Sequence, residues 1–191
     1  MQDHELIEKI KAGDSHAFKK LFKHYNSLVI NICYKLVGNK EEAEDLSQEV
    51  FFKVYKSAKS FKHRSKFSTW IYRIAVNLSL NHLRKIKQAS WLSLDISSKQ
   101  TDGETLDTLP APSGDQPDVF LEQKEKEIII WKMINLLPEN QRVALILQRY
   151  EGMSCQEIAD ILECSIGTVQ ARLHRARENL HKPLSLYLKE I

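Results

Sequence analysis

Residues 154–177 read SCQEIADILECSIGTVQARLHRAR, and this stretch decides how the C-terminal part of the chain folds. Ser154 and Glu157 have the spacing of a capping box, in which each side chain bonds the backbone N–H of the other residue. We therefore expect a helix over 156–162, a tight connection, and a second helix that Ser165 caps. The apolar stripe of the second helix consists of Val169, Leu173, Ala176 and Leu180. Two helices joined in this way form a helix-turn-helix.

The face opposite that stripe carries residues that form hydrogen bonds. In a helix-turn-helix the second helix lies in the major groove, with its N-terminal half against the base edges. Acidic residues are absent from this helix until Glu178, which favours duplex DNA as the partner over a hairpin that contacts only protein. Glu163 stands at the turn, where glycine is often found. The candidate base-contacting residues are Ser165, Thr168, Gln170, Ala171, Arg172, His174 and Arg175.

A second segment, residues 50–94, also indicates nucleic acid. It contains no Asp or Glu over 45 residues, yet it carries ten Lys or Arg and eight of the sixteen aromatic residues of the chain. Cations neutralise phosphates, and exposed aromatic rings stack on bases that have left a duplex. A packed aromatic core with a solvated lysine face is the alternative explanation.

The apolar spacing is helical nearly throughout, which predicts an all-α protein. The pattern predicts helices from Asp14 or Ser15 to Gly38, from near Lys40 to Lys59, and over about 66–87. At 100° per residue, one polar wedge of the last of these helices holds Arg73, Asn77, Asn81 and Arg84. Asn and Arg side chains in such a wedge can bind bases and phosphates, although a solvated polar face would look the same.

Charge divides the chain into three parts. Residues 1–87 carry 17 basic and 9 acidic side chains (net +8), residues 88–122 carry 1 and 7 (net −6), and residues 123–191 carry 10 and 9 (net +1). The middle part is rich in Ser, Gly and Pro and lacks periodicity, so it predicts a linker. We expect two small helical domains, 1–87 and 120–191, joined by a long acidic linker over 88–119.

The sequence offers little to support an enzyme. Three cysteines without CxxC spacing support neither a disulfide framework nor a cysteine-rich zinc site, and no glycine-rich phosphate loop is present. A metal-dependent nuclease would need clustered carboxylates, whereas the acidic groups lie at a helix start and in the linker. We expect no catalytic residues, cofactor or metal. The chain lacks a signal peptide and a membrane-spanning run, so we expect a cytoplasmic protein without membrane insertion.

Four ordered motifs resemble the bacterial sigma-70 family, in particular its extracytoplasmic-function (ECF) group. They are Ala17-Phe18 followed by Tyr25, residues 42–51 (EAEDLSQEVF), residues 67–77 (FSTWIYRIAVN), and Leu137-Pro138-Glu139-Asn140-Gln141-Arg142 before residues 154–177. The resemblance covers roughly residues 5–87 and 120–183. It implies a sigma factor that binds core RNA polymerase through its clamp helices and flap, directs it to promoters, and helps to open the DNA.

The resemblance also implies roles for individual residues. Asp45, Gln48 and Glu49 would face the clamp helices. Asn77 and the loop 61–66 would lie where the family holds a flipped base of the minus-ten element, while the second helix of the helix-turn-helix would read the minus-thirty-five element. The residues expected at the minus-ten element are Phe61, Lys62, His63, Arg64, Lys66, Arg73, Asn77, Asn81 and Arg84. An anti-sigma protein is a further expected partner. The main alternative is a helix-turn-helix activator that binds duplex operators without polymerase.

Overall fold

The computed structural model describes residues 3–61, 65–93 and 117–187, and every regular element in these ranges is helical. The first four helices form one compact unit, and a second unit holds α5, α6, α8 and the start of α7. The predicted all-α fold with two helical domains is confirmed. The helices are α1 (Asp3–Lys11), α2 (Ser15–Val37), α3 (Lys40–Ser57), α4 (Phe67–Ser93), α5 (Pro117–Asn135), α6 (Glu139–Arg149), α7 (Cys155–Leu162) and α8 (Ile166–Tyr187).

Helix α2 has the ends that its sequence predicts. The Asp14 carboxylate accepts hydrogen bonds from the backbone N–H of His16 (2.8 Å) and of Ala17 (3.2 Å). These bonds satisfy donors that the first turn of a helix leaves without intrahelical partners, and they hold the pKa of Asp14 below its usual range. Gly38 ends the helix with φ of 81°, a left-handed conformation that glycine adopts without a Cβ clash.

The core of the first unit lies between α2, α3 and α4. Leu21, Val29, Ile32, Val50 and Ile71 are fully buried there, and burial of each such side chain stabilises the fold by about 1.5–3 kcal/mol. Helix α4 buries two strips of side chains, because it packs against both α2 and α3. The remaining exposed side of α4 is therefore narrow.

Helix α1 is an element that the sequence interpretation did not include. Its nine residues bury Leu6, Ile7 and Ile10, and acidic residues in its first turn and basic residues in its last turn suit the helix dipole. The Tyr25 hydroxyl donates a hydrogen bond to the Asp3 carboxylate at 2.6 Å, which ties α1 to α2. Burial, with Asp3 as the second cause, raises the pKa of Tyr25.

The helix-turn-helix elements of the second unit match the prediction closely. Ser154 and Glu157 form the capping box, with the Glu157 backbone N–H donating to Ser154 Oγ at 3.2 Å and the Ser154 N–H donating to Glu157 Oε2 at 3.1 Å. Glu163 adopts φ of 51° and ψ of 46° at the turn, the conformation that explains why glycine is common there. Ser165 Oγ then accepts from the Thr168 N–H at 3.1 Å and caps α8.

Two helix ends differ from the expectation. Helix α4 continues to Ser93, six residues beyond the expected end at Lys87, and α5 begins at Pro117, three residues before Phe120. Both differences shorten the segment between helices. The rest of the predicted linker, residues 94–116, lies outside the described residues, and so do Lys62, His63 and Arg64 of the predicted minus-ten loop.

Candidate nucleic-acid interface

The recognition face, which we define as the seven candidate residues of α8 and its cap, is on the solvent side of the helix. Val169, Leu173 and Ala176 are at most 2% exposed and anchor the opposite side in the core. Gln170, Ala171, His174 and Arg175 are exposed, as is Ser165, whereas Thr168 and Arg172 are half-buried. The helical period therefore brings all seven predicted residues to one accessible surface.

Several side chains of α8 have intramolecular partners that hold them in place. Arg172 Nη1 lies 3.8 Å from the Cys164 thiol, and Arg177 Nη2 donates to Gln148 Oε1 of α6 at 3.0 Å. His174 Nδ1 lies 3.1 Å from Glu178 Oε2, one turn further along the helix. The contact between Arg172 and Cys164 was not predicted from the sequence. The ion pair between His174 and Glu178 was not predicted either, although their i to i+4 spacing is a sequence signal for such a pair.

The α4 wedge, which consists of Arg73, Asn77, Asn81 and Arg84, occupies the exposed strip of that helix. Asn77, Asn81 and Arg84 are exposed, and Arg73 is half-buried. Lys66, directly before the helix, is also exposed. The structure thus brings donors and acceptors of hydrogen bonds to one side of α4, which is the chemistry needed to contact bases and phosphates together.

Aromatic rings support the N-terminal end of this wedge. Phe61 is buried, with its ring centroid 4.8 Å from Trp70 and 6.0 Å from Phe67. Phe67 in turn meets Tyr25 of α2 at 5.1 Å, so the cluster joins the segment before α4 to the core. Trp70 is half-buried and packs against Phe61 and Phe67, which gives it a mainly structural role. Phe61, a candidate minus-ten residue, therefore lies beneath the surface.

A third face lies on α3 and carries the residues expected to contact polymerase. Asp45, Gln48 and Glu49 are all exposed at i, i+3 and i+4 spacing, with Leu46 and Val50 buried on the other side. We call these three residues the acidic face. It continues into exposed aromatic rings at Phe52 and Tyr55, which are 57% and 48% exposed, and Lys56 Nζ lies 4.2 Å from the Phe52 ring centroid. The sequence interpretation missed this extension, although Phe52 follows Gln48 by four residues.

The second unit has an apolar groove in addition to the recognition face. It has a volume of about 200 Å³ and is lined by residues of α5, α6 and α8, among them Ile130, Met133, Leu145, Tyr150 and Leu180. Ile130 and Tyr150 are each 37% exposed, so part of the lining is open to solvent. A groove of this kind fits an apolar segment of a protein partner.

The buried Arg142 fixes the junction between α5 and α6 beside this groove. It is 8% exposed, and its Nη1 donates to the Asn135 carbonyl at the end of α5, at 3.4 Å. A cation at the C-terminus of a helix also complements the helix dipole. Burial lowers the pKa of Arg142, an effect that neighbouring Glu139 opposes. We therefore assign Arg142 a structural role.

Comparison with known proteins assigns both units to described families. Residues 21–89 match the Sigma-70 region 2 family, and residues 127–180 match the Sigma-70, region 4 family. The first match contains the acidic face and the α4 wedge, and the second contains the recognition face and all of the groove lining except Leu184. No helix of the described residues is long and apolar enough to cross a membrane.

Two curated relatives extend these matches over nearly the whole chain. The chain is 36% identical over 178 residues to the ECF RNA polymerase sigma factor SigW of Bacillus subtilis, covering 93% of this chain and 94% of the relative. It is 34% identical over 193 residues to the RNA polymerase sigma-H factor of Pseudomonas aeruginosa, with 99% and 97% covered.

Solved structures show the same fold. The sigma factor RpoE of Bartonella quintana, in complex with the anti-sigma factor NepR, is 26% identical and superposes with a TM-score of 0.65 over 88% of this chain and 96% of that one. CnrH, in complex with the cytosolic domain of CnrY, has a TM-score of 0.67 at 19% identity, covering 96% of this chain and 97% of that chain, and shows the fold alone.

Proposed function

Because the chain belongs to the sigma-70 family, as an ECF RNA polymerase sigma factor, we propose a division of labour among its surfaces. The acidic face of α3 binds core polymerase, the α4 wedge binds the minus-ten element, and the recognition face of α8 reads the minus-thirty-five element. The observation that carries this assignment is that each nucleic-acid surface lies exposed within the family region that matches its half of the chain.

The acidic face suits a protein partner better than DNA. Asp45 and Glu49 are exposed carboxylates, which repel phosphates, and Gln48 between them adds a donor and an acceptor. Exposed aromatic rings at Phe52 and Tyr55 extend the face with side chains of the kind that dominate binding energy in protein interfaces. These features support contact with the polymerase clamp helices.

The α4 wedge is suited to single-stranded promoter DNA. Extruding a base from the duplex costs a few kcal/mol of unstacking and pairing, which contacts to the flipped base and to phosphates must offset. Asn77 offers a donor and an acceptor to a base edge, whereas Arg84 and Lys66 offer positive charge to the backbone. Phe61, Phe67 and Trp70 hold the N-terminal end of α4 in position beneath them.

The second unit contacts both duplex DNA and polymerase in this proposal. The recognition face enters the major groove of the minus-thirty-five element, and the apolar groove between α5, α6 and α8 receives the polymerase flap. The acidic linker is complementary to basic channels of the polymerase. An anti-sigma factor would compete with polymerase for the acidic face and the groove, and the protein works in the cytoplasm, where the polymerase is.

A conventional helix-turn-helix activator is not favoured. An activator needs only the second unit to read duplex DNA. Its function does not require a helix such as α4, which presents Arg and Asn within a basic segment that lacks Asp and Glu, residues 50–94. The match of the first unit to Sigma-70 region 2 explains that helix.

Core binding tests the assignment of the acidic face. We expect Glu49→Lys to weaken association with core polymerase at least tenfold, measured with labelled full-length protein, because it reverses one of two carboxylates in the contact. Glu5→Lys, an equal charge change at an exposed position of α1 outside the proposed polymerase contacts, is the matched control. Unchanged core affinity in Glu49→Lys, with normal helical content, would remove the acidic face from the polymerase interface.

A further inference from the structure

The ion pair between His174 and Glu178 stands out on the DNA-facing side of α8. His174 Nδ1 lies 3.1 Å from Glu178 Oε2, and the two side chains are 73% and 64% exposed. Glu178 is the first acidic residue of α8. An exposed carboxylate near the recognition face repels DNA phosphates, so its presence there costs promoter affinity unless it serves another purpose.

The chemistry of the contact fixes one proton of the imidazole. A carboxylate only accepts hydrogen bonds, so the ring nitrogen that faces Glu178 must carry the hydrogen. Nδ1 is therefore the donor in both the neutral and the charged ring. The other nitrogen, Nε2, is left as an acceptor when the ring is neutral and as a donor when it is charged.

No other described contact competes with Glu178 for this ring. Within the described part of the chain, His174 makes no hydrogen bond or ion pair other than the one with Glu178. The neighbouring cations of α8 are Arg175, which is exposed, and Arg177, which donates to Gln148 of α6. The exposure of both members of the pair shows that no other helix packs over them.

We propose that Glu178 is a positioning residue that holds the His174 imidazole with Nε2 toward the major groove, and thereby sets which base His174 reads in the upstream promoter element. This inference rests on the proposed function of α8. With Nδ1 as the donor to Glu178, Nε2 of the neutral imidazole is an acceptor for the amino group of adenine (N6) or cytosine (N4).

The experiment measures base preference by the full-length protein in holoenzyme. Core polymerase with wild-type or variant protein transcribes a library of promoters randomised across the upstream element. The variants are His174→Ala, Glu178→Ala and Glu178→Gln, and Glu127→Gln removes an equal charge elsewhere in the same unit.

We expect the wild type to prefer adenine or cytosine at one position. His174→Ala removes this preference. Glu178→Ala reduces it by about threefold to tenfold, the value of one hydrogen bond, while the other positions keep their preferences. Glu178→Gln preserves the preference, because the amide oxygen still accepts from Nδ1–H.

Two results would overturn the inference. One is a Glu178→Ala variant whose base preferences equal those of the wild type at every promoter position. A uniform gain in promoter affinity that Glu127→Gln also shows would reflect only the loss of a negative charge and would not support the inference. The other is a His174→Ala variant with unchanged preferences. Failure of the wild-type holoenzyme to initiate at any library promoter would instead count against the proposed function, so the two failures are distinguishable.

Discussion

At the scale of single residues, the cations of α8 differ in how firmly the protein holds them. Arg172 and Arg177 contact Cys164 and Gln148, whereas Arg175 is exposed and makes no hydrogen bond or ion pair within the described residues. A long side chain without intramolecular partners is available to DNA. We predict that Arg175→Ala weakens promoter binding by the holoenzyme by about 1–3 kcal/mol, while core binding stays intact.

Filter binding of holoenzyme to a promoter fragment would measure this effect, with Lys132→Ala as a control that removes an exposed cation from α5 of the same unit. An Arg175→Ala holoenzyme with wild-type promoter occupancy would exclude Arg175 from the recognition face.

Asn77 is the residue of the α4 wedge best suited to select a base. Its exposed amide can donate and accept at once, and few other exposed side chains of α4 can do both. We predict that Asn77→Ala slows opening of duplex promoters and relaxes preference at one minus-ten position. Opening is followed by permanganate reactivity of unpaired thymines on promoters with all four bases at each position. Retained selectivity at every position would contradict the prediction, and Asn81→Ala provides the comparison one turn away.

Cys33 is the cysteine that the fold protects. It is fully buried, and burial raises the pKa of its thiol to about 11. Because the thiol titrates at lower pH in the unfolded chain, Cys33 contributes stability below about pH 8.5 that is lost as the pH rises toward 11. Tyr25, whose pKa is also raised, adds a further loss at higher pH.

Urea unfolding of wild type and Cys33→Ala between about pH 8 and pH 10.5 would test this linkage. We predict a steeper loss of stability with pH in the wild type than in the variant, and equal slopes would contradict it. Thiol labelling of the native protein should modify Cys155 and Cys164, which are half-buried, before Cys33.

At the scale of elements, the capping box of α7 positions the helix-turn-helix. Ser154 Oγ accepts from the Glu157 N–H at 3.2 Å, and replacement by alanine leaves this donor without its partner. We predict that Ser154→Ala destabilises the second unit by about 1 kcal/mol, whereas Ser154→Thr keeps the cap and most of the stability. Thermal unfolding of the two variants would decide. Equal stabilities for alanine and threonine would show that the cap contributes nothing.

Helices with both a cap and an amphipathic pattern could be predicted from the sequence. Asp14 and Gly38 mark the ends of α2, and Ser154 and Ser165 mark the starts of α7 and α8. Helix α1 was missed because nine residues with three core positions form a weak pattern, and its stability depends on packing against α2. The sequence interpretation ended α4 at Lys87 because the next residues, such as Gln88 and Ala89, are exposed and do not continue the core pattern. These residues are nevertheless compatible with a helix, and α4 continues to Ser93.

The faces that carry the candidate sites could also be predicted, because helical period alone determines which side chains share a side. Asp45, Gln48 and Glu49 on α3 and the α4 wedge are exposed as the period requires. Contacts between elements could not be predicted in this way. The contact of Arg172 with Cys164 depends on the left-handed turn at Glu163, whose geometry the sequence does not specify.

At the scale of the whole molecule, function depends on having both units in one chain. The strongly basic first part, net +8, holds the α4 wedge and the acidic face, and the second unit holds the recognition face. In the proposed function, neither unit alone carries surfaces for both promoter elements. The chain is therefore expected to select promoters by two separated sequence elements, and only in association with polymerase.

The most direct test is transcription of fragmented genomic DNA of the source bacterium by its core RNA polymerase, with and without the protein, followed by sequencing of RNA 5′ ends. We predict new start sites that share two upstream elements, and their loss when Glu49→Lys replaces the wild type. An absence of new starts, together with duplex DNA binding by the protein alone, would contradict the central claim and favour an activator.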